Sequence, residues 1–330
     1  MRSFRCGVLS VCLCDNRLVV AGFDEYRGRG RMRFRVGVFD VRDSMHVALW
    51  TDTVTYPIAT LTSCLCDENY LYAIGVTSKF WSIILLDKRD FTVTHRVDFE
   101  DPYITPLSLV KHREFLYVAG TQIIPGKPLV SHVAMISTRD FKVTKSYTPS
   151  ISEFETGVNS IVFNEKTGEL IVGGYYKCER SGLEWLLVFL SEDLRELRVV
   201  KPGFKGVILS LAVDAEGSIY AVDNSRLVKF TSRGELIRQV NVPSVLRVFA
   251  SQNSKSIFGS HVAVLASREI LLFNTDLNKV DSISIPGIQV YIPEMTAITG
   301  DMDTVFTVLT TITSPTTWQW QVTAAKLTIK

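Results

Sequence analysis

One unit recurs along this chain and constrains its fold more than any other feature. LSVCLCDNRLVVAG from Leu9 aligns with LTSCLCDENYLYAIG from Leu61, LSLVKHREFLYVAG from Leu107 and NSIVFNEKTGELIVGG from Asn159. LSLAVDAEGSIYAVD from Leu209, LRVFASQNSKSIFGSHVAVLAS from Leu246 and TAITGDMDTVFTVLT from Thr296 follow the same plan, at spacings of 37 to 52 residues. Each is an apolar strand, a polar turn, and a second strand ending near a small residue. The other half of the unit recurs too, as in SIILLDKRDFTVTHRV and VAMISTRDFKVTKSY. There an apolar strand meets a turn rich in Asp, Arg and Ser, and an alternating strand follows, with Phe141, Val143 and Lys145 set against Lys142 and Thr144.

Each unit therefore reads as four antiparallel strands, a to d. Repeats of this kind signal a β-propeller, in which each blade buries its faces on its neighbours. Seven units predict an all-β, seven-bladed β-propeller of four-stranded antiparallel blades, forming a single domain over 1–330. The blades fall near 6–51, 58–100, 104–150, 157–202, 206–242, 244–286 and 292–330. The last unit is one strand short, so residues 1–5 are expected to complete it and close the ring by pairing the two terminal segments.

The fifth unit, GVILSLAVDAEGSIYAVDNSRLVKFTSRGELIRQVNVP from Gly206, resembles a blade of the NHL and SMP-30-like propellers. AVDAEGSIYAVD stands where such blades have their Asp-Gly turn, and RLVKFTSRGEL where they have their final hairpin. The resemblance implies a ring of six or seven blades. Its members include scaffolds, RNA binders and lactone hydrolases, so it implies no single function.

Composition narrows the classes. A hydrophobic fraction of 46% with 21% charged residues describes a folded chain with many buried strands,. A net charge of +2 leaves no whole-molecule basic field, so any anion site must be local,. The longest apolar runs, such as WSIILL ending at Leu86, fall far short of the ~20 residues that span a bilayer,. MRSFRCGVLSVCLCD at the start imitates a signal peptide, but it recurs from Leu61 and lacks a small-residue cleavage site,. The expectation is a cytoplasmic protein without a membrane partner, its six cysteines reduced,.

Chemistry is sparse. Asp15, Asp67, Asp214, Asp301 and Asp303 fall at a-to-b turns, and Asp87, Asp140 and Asp193 at c-to-d turns, where carboxylates close turns. Asp223 and Asn224, in the fifth b-to-c turn, match the pattern of the family this blade resembles, which implies a channel-mouth polar site, or they simply close their own turn. Cys12 with Cys14 and Cys64 with Cys66 give C-x-C twice, and four thiolates can hold zinc. Neighbouring sheets pack about 10 Å apart, so these four are expected to be unlinked, metal-free core residues. The five histidines are scattered, and no phosphate-binding glycine loop occurs,. No catalytic residue, metal ligand or cofactor is assigned.

The variable parts are more informative. Four b-to-c connections are long: FDEYRGRGRMR, TQIIPGKPLVSH, YYKCERSGLEW and TTITSPTTWQW. Binding residues concentrate in loops on rigid scaffolds. Tyr175, Tyr176, Trp318 and Trp320 on this face are of types enriched at interfaces, although they can equally pack between blades. In YRGRGRMRFRV, a three-residue turn with positive φ at Gly30 would set Arg27 against Arg31, Glu25 against Arg33 and Phe23 against Arg35. Tyr26, Met32 and Phe34 would then point inward. Arg27, Arg29 and Arg31 at the tip, with Arg33 and with Lys127, Lys177 and Arg180 from other loops, either keep a hairpin solvated or grip an acidic protein surface or a nucleic-acid backbone. The expected function is a non-enzymatic scaffold that binds a protein or polyanionic partner through this face. The alternative is an SMP-30-like metal-dependent lactonase at the channel mouth.

Overall fold

The computed structural model describes residues 6–25, 30–42, 46–101, 103–149, 155–178, 182–267, 269–285, 291–300, 302–314 and 317–326. Six antiparallel sheets of four strands follow one another, each in the order a-b-c-d. They run from Cys6 to Thr51, Ala59 to Phe99, Ile104 to Tyr147, Thr156 to Val200, Ser210 to Asn241 and Val245 to Ser284. The last repeat contributes three strands, Tyr291–Gly300, Thr304–Ser314 and Thr317–Lys326. Six complete blades thus replace the seven expected from the repeat count. The last unit spends its residues on a long hairpin, paired from Thr304 with Lys326 to Ser314 with Thr317. The expected closure through residues 1–5 lies outside the described residues. The chain divides into two compact units, one of residues 1–106, 285–299 and 304–330, the other of 107–284 and 300–303.

Strands b and c are apolar because both their faces are covered. In strand b of the first blade, Arg17–Glu25, every residue after Arg17 is buried. Strand d lies outermost, and in Val143–Tyr147 four of the five residues are exposed. Core clusters form between adjacent blades. Phe34, Val36 and Val38 of the first blade pack with Leu61, Ile84 and Leu86 of the second. Trp185, Leu187 and Phe189 of the fourth pack with Ile208, Leu211 and Val228 near the fifth. Each such side chain contributes about 1.5–3 kcal/mol of burial.

The c-to-d turns differ from the sequence reading. Phe141 does not begin strand d; it occupies the left-handed region at φ 53° with its ring buried, and the strand starts at Val143. Phe91, Leu194 and Leu277 do the same in their blades, with φ of 59°, 57° and 57°. Gly234 takes that place in the fifth blade at φ 87°. Burying the side chain offsets the cost of about 1–2 kcal/mol for a left-handed L-residue.

Strands a of adjacent blades approach more closely than stacked sheets. A serine in the repeat marks the contact: Ser10 Oγ accepts the Cys64 N–H at 3.0 Å, Ser108 Oγ that of Ile161 at 3.1 Å, and Ser160 Oγ that of Leu211 at 3.1 Å. Ser210 Oγ and Val248 N–H make the same bond at 3.4 Å. This convergence overturns the expectation for the cysteines. Cys14 and Cys66 form a disulfide, with Cα atoms 5.4 Å apart, whereas Cys12 and Cys64 are free thiols. The 10 Å spacing on which unlinked cysteines were expected belongs to sheets stacked face to face, not to innermost strands. The expectation that all six cysteines are reduced fails with it. Among the described residues no helix is long and apolar enough to cross a membrane.

Candidate functional site

The arginine hairpin of the first blade forms in a register one residue away from that expected. Glu25 lies opposite Met32, Asp24 opposite Arg33, Phe23 opposite Phe34 and Gly22 opposite Arg35. Gly30 has the positive φ, 65°, and its N–H donates to Glu25 Oε1 at 2.8 Å. The connection is therefore six residues, 26–31, and Arg33 finds Asp24 instead of Glu25. The buried Asp24 carboxylate accepts from Arg33 Nε at 2.6 Å and its second guanidinium nitrogen at 2.9 Å, with Arg35 3.5 Å away. A bidentate arginine on a buried carboxylate is a strong and directional pair. Arg33 thus fastens the hairpin, while Phe34 is buried and Met32 packs against the core as expected. Arg27 and Arg29, like Arg180, lie outside the described residues.

Arg31 stays on the surface and reaches the d-to-a connector that leads to the second blade. It donates to Thr55 Oγ1 at 2.9 Å and to the Thr55 carbonyl at 2.5 Å. Met32 and Tyr56 exchange two backbone bonds of 2.7 and 2.8 Å, which extend the sheet by one bridge. Tyr56 meets the Phe80 ring edge-on at 5.5 Å, and the Ser78 N–H donates to the Ile58 carbonyl at 3.1 Å. Beneath the connector Arg96 joins Asp52 at 2.7 Å and Asp98 at 2.9 Å, bonds the Tyr56 hydroxyl at 3.3 Å, and lies over the rings of Phe34 and Phe80. The connector is therefore held at both ends, yet Val54 is 48% and Ile58 55% exposed. Pro57 between them is exposed, and so are Arg31 and Lys79 on the flanks.

The second unit assembles the other group. Thr156 N–H donates to the Leu129 carbonyl at 2.9 Å, and Thr156 Oγ1 accepts the Ser131 N–H at 2.9 Å, which seats the Lys127 loop beside the fourth blade. The connection YYKCERSGLEW is largely a paired hairpin, with Tyr175 opposite Trp185, Tyr176 opposite Glu184 and Lys177 opposite Leu183. Tyr175 and Lys177 both bond Glu155, at 3.2 and 3.4 Å, and Tyr176 donates to Glu184. Burial first and then the Glu155 charge push the Tyr175 hydroxyl up to about 12; the Glu184 bond and then burial do the same for Tyr176. Both phenols remain neutral donors. Trp318 and Trp320 lie on the last hairpin, opposite Ile312 and Thr310. Two of the four long connections are thus strand, because aromatic and β-branched residues pair well in sheets.

Asp223 does not open toward a ligand. Its Oδ1 accepts from the Ser225 N–H and hydroxyl and from the Arg226 N–H, and its Oδ2 lies 2.9 Å from Arg226 Nε. It closes its own turn, so the lactonase reading gains no support from this position. Among the described residues no three His, Cys, Asp or Glu side chains converge in a metal-binding group. A polar cleft opens at the a-to-b and c-to-d turns of the first two blades, lined among others by Cys14, Arg17, Tyr70 and Lys88. Six of its charged side chains pair with one another: Asp15 with Lys88, Asp40 with Arg42 and Asp87 with Arg89. The guanidiniums of Arg42 and Arg89 hold their partner carboxyls at about 2.

The Val54–Ile58 connector and the Arg96 cluster escaped the sequence reading. Asp52 and Arg96 are 44 residues apart, and no local pattern links them.

No family model and no curated protein matches this chain by sequence. Solved structures do match. The WD40 domain of Neurospora crassa Pan2 is similar at a TM-score of 0.62 and 11% identity, over 92% of this chain and 86% of that one. Hsv2 of Kluyvelomyces marxianus is similar at a TM-score of 0.58 and 11% identity, over 98% of this chain and all of that one. The chain thus has a β-propeller fold similar to that of these two structures, and the narrower NHL and SMP-30-like resemblance of the fifth repeat is not upheld.

Proposed function

We propose that this propeller is a non-enzymatic interaction scaffold, and that the connector from Asp52 to Ile58 with the neighbouring arginine hairpin binds a protein partner. The observation that carries the reading is an apolar surface held rigid: Val54, Pro57 and Ile58 are exposed on a segment that the Met32–Tyr56 bonds and the Arg31–Thr55 bonds fix in place. A preformed surface spends little ordering entropy on binding. Arg31 and Lys79 flank the aliphatic side chains, so the fitting partner is a protein segment with an apolar anchor beside carboxylates. Arg33 is engaged by Asp24, which leaves less charge for a nucleic-acid backbone than the sequence promised. Tyr175, Tyr176, Lys177 and Lys127, with Trp318, Trp320, Arg27, Arg29 and Arg180, stand on the b-to-c connections and are assigned to the same role.

The test is selection of peptides from a random display library on the purified chain. Enriched sequences should pair an aliphatic or aromatic residue with Asp or Glu, and their affinity should drop about tenfold or more in the Ile58→Asp variant, as loss of a buried anchor would. Selected peptides that bind the variant equally, or that carry no acidic residue, overturn the reading.

A further inference from the structure

We propose that Cys12 and Cys64 are a second oxidisable pair, which closes a disulfide beside Cys14–Cys66 when a small azo or disulfide oxidant reaches them. Residues i and i+2 of a strand share a face. Cys12 and Cys14 therefore project together from strand a of the first blade, as Cys64 and Cys66 do from strand a of the second. Cys14 and Cys66 are joined across a separation of 52 residues, and Cys12 and Cys64, 64 less 12, share that offset. They occupy the next rung of the same ladder.

The rung is assembled. Both thiols belong to the core cluster between the two blades, and the Cys64 thiol is the first influence on that of Cys12. The Cys64 N–H donates to Ser10 Oγ at 3.0 Å and its thiol lies 3.6 Å from the same oxygen, so strand a of one blade pins the residue carrying the other sulfur. The disulfide on the outer rung, with Cα atoms 5.4 Å apart, shows that these strands meet the separation that a disulfide needs,.

The two rungs differ in access at one residue: Cys66 is partly exposed, whereas its partner Cys14 is as buried as the inner pair. Cys12 and Cys64 are buried, and the contact with Cys64, followed by burial, pushes the Cys12 thiol well above its ordinary range. The attacking species is the thiolate, so the inner pair persists as thiols while the outer pair is oxidised. Oxidation of the inner pair is slow and follows breathing of the blade interface. One thiolate attacks the oxidant to give a mixed adduct. The second thiolate then attacks the adducted sulfur, the S–S bond forms, and the oxidant leaves carrying both electrons and both protons. An azo reagent becomes a hydrazine; a disulfide becomes two thiols.

The consequence is redundancy. A disulfide stabilises mainly by removing loop entropy from the unfolded chain. With the outer rung intact, the inner one closes only a ring of a few residues and adds little. With the outer rung broken, the inner one encloses the same long loop and takes over its effect. The Cys14–Cys66 disulfide can then be reduced without releasing the first two blades from each other.

The experiment treats the full-length chain with excess diamide just below its melting temperature, alkylates it under denaturing conditions and maps the cysteines by mass spectrometry. A cross-linked peptide joining Cys12 to Cys64 is expected, beside the one joining Cys14 to Cys66. In parallel, the Cys14→Ser, Cys66→Ser double variant is melted before and after oxidation, and oxidation should raise its melting temperature by several degrees. In the unmutated chain, already stapled, the same oxidation should move it little. Free, alkylated Cys12 and Cys64 after treatment would overturn the proposal. So would a double variant whose melting temperature is indifferent to the oxidant. If that variant does not fold, mapping the unmutated chain still decides.

Discussion

Single residues in unusual backbone conformations show how this chain trades local strain for burial. Ser244 and Leu277 both sit near φ 57°, at 56° and 57°, but Ser244 is exposed and Leu277 is buried in the core between the fifth and sixth blades. Glycine at either place relieves the left-handed strain of about 1–2 kcal/mol, less about 0.4–1 kcal/mol for the freer unfolded chain. Ser244→Gly should therefore raise stability by about 0.5 kcal/mol, since only an exposed hydroxyl is lost. Leu277→Gly gives up a buried leucine, worth at least the roughly 2–5 kcal/mol of a Leu→Ala change, and should lower stability in spite of the same relief. Urea unfolding of the two variants decides the matter. Equal signs would mean that burial does not hold Leu277 in its conformation.

At the scale of elements, the strand a serine is the clasp between blades. Ser160 is buried, and its hydroxyl accepts the N–H of Leu211, itself buried, in the next blade. Ser160→Ala leaves that donor unpaired and should cost about 1–3 kcal/mol, with faster amide exchange at Leu211 as the specific sign. A loss of stability without any change at Leu211 would assign the cost to packing instead. This serine was plain in the aligned repeats as the second residue of LSV, LSL and NSI, but its partner was not, because the bond reaches about one repeat along the chain. The same limit governs the rest. The four-stranded unit could be read from alternation and turn residues, which act locally. The positive φ at Gly30 was legible because a hairpin turn needs it. The register was not, since Asp24 and Glu25 are adjacent carboxylates, both buried in the fold, and nothing local says which of them faces Arg33. The disulfide escaped for a further reason: the approach of two strands a is set by the way blades meet, and no spacing within either C-x-C records it. Val54 and Ile58 gave no signal, because in sequence an exposed aliphatic residue looks like a buried one.

For the molecule as a whole, a propeller built of repeats distributes its stability over contacts between neighbours, so a local change should loosen its own blades first. The disulfide provides the means to ask this. Cys14–Cys66 spans 52 residues and ties strand a of the first blade to strand a of the second; by loop entropy alone such a link stabilises by about 4 kcal/mol. Full reduction, with all cysteines kept as thiols, removes that contribution and leaves the blade contacts as they are. Amide exchange should then accelerate in the first two blades, from Cys6 to Phe99. Strand b of the fifth blade, Ile219–Val222, whose four residues are all buried, should keep its protection at temperatures well below melting. The comparison is made on one sample before and after reduction, so sequence effects on intrinsic exchange cancel. If protection falls by the same factor in the fifth blade as in the first two, the chain opens as a single cooperative body, and the neighbour-by-neighbour account of its stability fails.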